Sequence, residues 1–149
     1  MEEKVNMNDD SIKLLRECEA GIKMGISAID DVIDDAQDKK LKSILTEGKD
    51  KHIELLSKAK EYLKSYNDEG KDASSMAKLM AKMKTNVKLM GGKADADIAD
   101  LITGGCDMGI KSLNRYINQY PAADAEIKKL TGEVILMEES LERCLRPYL

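Results

Sequence analysis

Two residues stand out by their neighbours. From about Asp10 to Ala36, Ile12, Leu15, Glu19, Ile22, Ile26, Ile29 and Ile33 recur at alternating steps of three and four, and Glu19 is the only charged member of that stripe. In the next segment Leu41, Leu45, Gly48, His52, Leu55, Ala59, Tyr62 and Tyr66 repeat the spacing, and His52 is its only imidazole as well as the only His of the chain. With the intervening turn centred near residues 36 and 37, Glu19 lies about seventeen residues before it and His52 about sixteen after, so the two are predicted at similar height. A buried carboxylate needs a partner, which here is a hydrogen bond from His52, a neighbouring cation or a metal. Asp107 and Glu138 fall at similar height in the second half of the chain, and a mononuclear site of Glu19, His52 and an acid from that half would suit an Fe, Mn or Zn ion.

The elements that must position these groups are helices. Aromatic residues are 3% of the chain, all Tyr, and there are two Pro, which leaves little for a β-sandwich or barrel. Helix 1 is predicted over about Asp10 to Ala36, with Asn8 to Ser11 as cap candidates. Helix 2 begins near Asp38 and ends before Asn67. Met76, Met80, Met83, Val87 and Met90 mark a shorter Lys-backed connecting helix stopped by Gly91-Gly92. Helix 3 spans about Ala94 to Gln119, with Ile98, Ile102, Cys106, Gly109, Leu113 and Ile117 inward, and Pro121 follows it. Helix 4 carries Ile127, Leu130, Val134, Met137, Leu141, Cys144 and Tyr148 and closes at Arg146-Pro147. The short turns and the long middle connection predict one domain, 1–149, of two antiparallel hairpins.

Helix 1 contains Cys18-Glu19-Ala20-Gly21-Ile22-Lys23 and helix 3 Cys106-Asp107-Met108-Gly109-Ile110-Lys111, one pattern displaced by 88 residues. It reads either as a duplicated hairpin or as the narrow residue choice of amphipathic helices. Hairpin, long crossover, hairpin and matched helices together resemble the ferritin-like superfamily over nearly the whole chain. The resemblance implies an antiparallel four-helix bundle with an extra helix in the crossover, and a core site in which helices 1 and 3 each give a Glu and helices 2 and 4 each an E-x-x-H pair. Glu19 then matches the helix 1 Glu, His52 the helix 2 His, Asp107 replaces the helix 3 Glu, and Glu138 or Glu139 matches the helix 4 Glu. Lys49 stands where the helix 2 Glu belongs, and helix 4 has no His.

The remaining features narrow the function class. A net charge of −4 with Lys scattered among Asp and Glu offers no stripe for a phosphate backbone, so no nucleic acid partner is expected. No apolar run has membrane-spanning length and no signal-peptide block precedes the first helix, so a cytoplasmic protein off the membrane is expected. Cys18, Cys106 and Cys144 read as reduced core thiols. No phosphate loop, nucleophile elbow or H-E-x-x-H motif occurs, so an enzyme is unsupported. The preferred reading is a non-enzymatic helical protein acting through its surfaces, as a homo-oligomer such as a dimer. The Met-lined segment 76–90 either packs on the bundle edge or docks a protein partner. The alternative is a metal-binding protein with a degenerate core site. Gly21, Gly25 and Gly109 either leave room for a ligand or let helices approach, and Gly104-Gly105 reads as a close helix contact.

Overall fold

The computed structural model describes residues 2–66 and 94–149. The Met-lined segment 76–90, read as a connecting helix or docking face, lies outside them. The described residues form four helices: α1 (Glu2–Val32), α2 (Lys39–Ser65), α3 (Asp95–Gln119) and α4 (Ala125–Leu145). Short 3-10 turns follow α1 at Ile33–Asp35 and α4 at Arg146–Tyr148. Among the described residues no helix is long and apolar enough to cross a membrane.

Side chains at the helix ends fix the direction of each helix. At one end Asp38 caps α2 by accepting from Leu41 N at 3.0 Å, as its position in the sequence predicts. Asp95, at the start of α3, accepts from Gln37 N at 2.8 Å and Asp38 N at 3.0 Å, and the Tyr148 hydroxyl donates to Asp38 at 2.7 Å. The end of α1 and the starts of α2 and α3 therefore meet the end of α4. At the opposite end the Tyr66 hydroxyl donates to Asp124, whose own N–H donates to Ser11 Oγ at 2.7 Å. Thus α1 and α4 run one way and α2 and α3 the other, and each helix packs on two antiparallel neighbours: α1 on α2 and α3, α4 on α2 and α3. The chain leaves α2 at one end of the array and re-enters α3 at the other.

The start of α1 departs from expectation. Asn8 to Ser11 lie inside the helix instead of capping it. Asp10 and Ser11 accept from Ala122 N at 3.0 Å and Asp124 N, so cap-type side chains serve the turn of the other hairpin.

Apolar packing divides into two clusters. Leu14, Leu15, Ile22, Leu63, Ile127 and Leu130 belong to the one toward the Asp124 end, and Ile29, Leu41, Leu45, Ile98, Ile102 and Leu145 to the one toward the Asp38 end. Between them α1 presents Gly25, α2 Gly48 and His52, α3 Gly109 and α4 Glu138. Cys18 and Cys106 are buried as expected, whereas Cys144 is exposed, because the buried face of α4 passes through Leu141 and Leu145.

Candidate functional site: a glycine-lined cleft over a buried histidine–glutamate pair

His52 is 1% exposed and both ring nitrogens have partners. A helical side chain leans toward the N-terminus of its helix, and the ring accordingly reaches back one turn, where Nδ1 lies 2.6 Å from Gly48 O. A carbonyl only accepts, so Nδ1 carries a proton. Nε2 lies 2.8 Å from Glu138 Oε1, and a second proton occupies that bond, which makes the pair neutral in sum. Burial pulls the His52 pKa down, but the hydrogen bond and charge of Glu138, with the Gly48 carbonyl, outweigh it and hold the imidazole above its ordinary value. The Cys106 thiol also shares a hydrogen bond with Glu138, and burial together with that carboxylate pushes its pKa far up.

The lean of His52 also decides what it meets. A Cβ at Gly25 would stand 2.4 Å from Nε2 and 2.6 Å from Cδ2, so the imidazole occupies the space a side chain there would fill. The residue of α1 facing His52 is therefore Gly25, and the expected contact with Glu19 is not made. Glu19 is 1% exposed and pairs along its own helix with Lys23 Nζ, 2.5 Å from Oε1. That contact is an ion pair without hydrogen-bond alignment.

Of the four residues predicted as a metal set, the structure brings together His52 and Glu138. Glu138, not Glu139, is the one on the buried face. Asp107 is exposed and shares a hydrogen bond with Glu142. Lys49, at the helix 2 Glu position of the resemblance, pairs with Asp30 at 2.5 Å. Among the described residues no three His, Cys, Asp or Glu side chains gather to hold an ion, and both nitrogens of His52 already carry hydrogen bonds. As arranged, these residues do not fit a metal, and no chemistry is routed through one. The repeat also separates here, since Glu19 is buried and its counterpart Asp107 is not.

Above the pair, α1 and α3 stand apart. A Cβ at Gly21 would meet nothing within 4 Å, and one at Gly109 would have Glu138 Oε2 as its nearest neighbour at 3.8 Å. The cleft and the open solvent at its mouth together span about 610 Å³. Gly21, Gly25 and Ala28 form one wall and Gly105, Gly109 and Ser112 the other, while His52 and Glu138 sit on the floor with Val134 and Leu141. Gly21 and Gly109 thus leave room, whereas Gly25 lets the His52 ring approach, and Gly105 lines the cleft. Glu17, 8% exposed, and Tyr116 also line it. Glu17 was missed by the sequence reading. Its signal is the spacing Glu17, Gly21, Gly25, Ala28, a stripe of small residues ending in an acid on one helix face.

Comparison of the chain with family models, with curated proteins and with solved structures gives no match.

Proposed function

We propose that this chain is a non-enzymatic, ferritin-like four-helix protein that binds a small, mainly apolar molecule in the cleft between α1 and α3. The observation that carries the reading is the open space beside Gly21, where a Cβ would touch nothing within 4 Å. A helix that places Gly where a Cβ would meet nothing forgoes helix propensity with no steric reason inside the chain, and an occupant of the open space supplies one. The walls of the cleft are apolar with few polar atoms, the usual composition of small-molecule sites. The ferritin-like assignment is supported by the helix directions, with a connection that returns along the length of the array between α2 and α3.

The non-enzymatic part is supported by the state of the polar groups. His52 and Glu138 are committed to each other, and the Cys106 thiol has its pKa raised, which disfavours the nucleophilic thiolate. The test is binding of Nile red, an uncharged apolar dye, to the wild type and to Gly21→Leu. The open space accepts the new side chain, so the variant should fold and lose at least about tenfold in affinity. Equal binding by the two proteins would remove the cleft from the account.

A further inference from the structure

The buried face of α4 runs through Ile127, Leu130, Val134, Glu138 and Leu141, and the face turned away from the array carries a second regular pattern. Ala125, Lys129, Gly132, Leu136, Glu139 and Arg143 follow one another at alternating steps of four and three, the spacing by which one helix lays a seam against another. Ala125, Lys129 and Arg143 are exposed, and Gly132 and Glu139 are half-buried. Leu136, near the middle of the seam, is 65% exposed, more than any other large apolar side chain among the described residues. A Cβ at Gly132, one turn before it, would meet nothing within 4 Å, so the seam presents a knob with an open hollow beside it. None of these six residues lines the cleft.

A seam of this kind can pair with itself about a twofold axis, so that whatever one residue faces in the second copy faces it in return. With two copies of α4 antiparallel and the axis at the height of Val134, every position finds a complement. Leu136 enters the hollow over Gly132 of the second copy, Lys129 meets Glu139, and the methylenes of Arg143 lie over Ala125. Each contact is made twice. Among the described residues no ion pair involves Lys129, Glu139 or Arg143, so their charges are open to a second copy. Glu133 flanks the axis and would face its own counterpart, but it is already paired with Lys58 at 3.4 Å. A parallel pairing would set Lys129 on Lys129, Glu139 on Glu139 and Leu136 on Leu136, opposing like charges and leaving the hollow empty.

From this self-complementarity we infer that the outer face of α4 is the docking surface for a second copy of the chain, in an antiparallel twofold dimer with Leu136 seated over Gly132 and Lys129 against Glu139. The test is sedimentation velocity at low salt, over protein concentrations up to about 100 μM. The wild type should pass from monomer to dimer. Lys129→Glu and Glu139→Lys each set like charges opposite one another twice, and each alone should weaken the dimer at least about tenfold. A one-to-one mixture of the two variants restores opposite charges at both places and should dimerise about as tightly as the wild type. Both substitutions fall on the outer face of the helix, and thermal melts confirm that each variant folds. A wild type that stays monomeric, an assembly larger than a dimer, single variants that dimerise as the wild type does, or a mixture that remains monomeric would each overturn the inference.

Discussion

Replacing Gly25 with Ala sets a small intrinsic gain against a large local loss. In a helix interior Ala is favoured over Gly by about 0.8–1 kcal/mol, so on propensity alone the variant is more stable. The new Cβ, however, would lie 2.4 Å from His52 Nε2 and 2.6 Å from Cδ2, well inside van der Waals contact. The ring cannot turn aside freely, because Gly48 O holds Nδ1 at 2.6 Å and Glu138 holds Nε2 at 2.8 Å. Relieving the clash requires a ring displacement of about 1 Å, enough to break the bond to Glu138. Breaking a buried charged pair costs about 3–5 kcal/mol, so the net loss is about 2–4 kcal/mol. For a chain of this size that lowers the melting temperature by about 5–15 °C. Gly21→Ala, one turn earlier where the Cβ meets nothing, is the internal control and should gain about 1 kcal/mol. Urea denaturation of the two variants and the wild type measures both numbers. In a His52→Ala background the clash disappears, and Gly25→Ala should become stabilising by about the propensity difference, a non-additivity that isolates the contact. A Gly25→Ala protein as stable as the wild type in the presence of His52 would refute the geometry.

Three further outcomes follow from the same site. His52 is the only His, so its Hε1 and Hδ2 signals need no assignment to residue; their titration midpoint should lie above 6.5 and fall in Glu138→Gln. Because the folded pKa is raised, the pair's stabilisation is fully present below the unfolded value and is lost as pH rises through the folded one, so the stability gap between wild type and His52→Gln should narrow from pH 6 toward pH 9, and a widening gap would contradict it. Of the three thiols, exposed Cys144 should react at once with a disulfide reagent, while Cys106 and Cys18, the latter with its pKa pushed by burial up to about 12, should react only on unfolding; three fast thiols would contradict the packing. Fe²⁺, Mn²⁺ and Zn²⁺ should leave the melting temperature unchanged, and a rise abolished by a Glu19→Gln, His52→Gln double variant would reinstate the metal set.

The helical stripes and the Asp38 cap were legible in the sequence because both follow from local spacing and local hydrogen bonding. The burial of Glu19 and His52 was legible for the same reason, whereas the apolar line of Val134, Met137 and Leu141 leaves Glu138 and Glu139 beside it, and an acid of α4 entered the predicted site only through the ferritin-like resemblance. The partners of Glu19 and His52 were not legible. Height counted along the backbone put Glu19 beside His52, but the ring leans back over Gly48 and meets α1 at Gly25. Asp10 and Ser11 carry side chains that suit a helix start, yet their acceptors are filled by the turn at Ala122 and Asp124, a choice fixed by tertiary packing. The glycines presented a question of sign. Small residues permit either approach or a gap, and the spacing of α1 from α3 decides between them, a quantity no single helix encodes.

The division of the apolar interior into two clusters, with His52 and Glu138 between, bears on how the molecule opens. Hydrophobic contacts are non-directional and tolerate sliding, whereas the hydrogen bond across the waist has one geometry. Each half can therefore loosen from its own end without unfastening the other, since few side chains belong to both. Amide exchange should reveal two protected blocks, one around Leu14 to Cys18 with Leu130 to Val134, the other around Leu41 to Leu45 with Ile98 to Ile102. The waist acts as a detent between two separately breathing halves, and a molecule seated in the cleft would touch both and lock them into one unit.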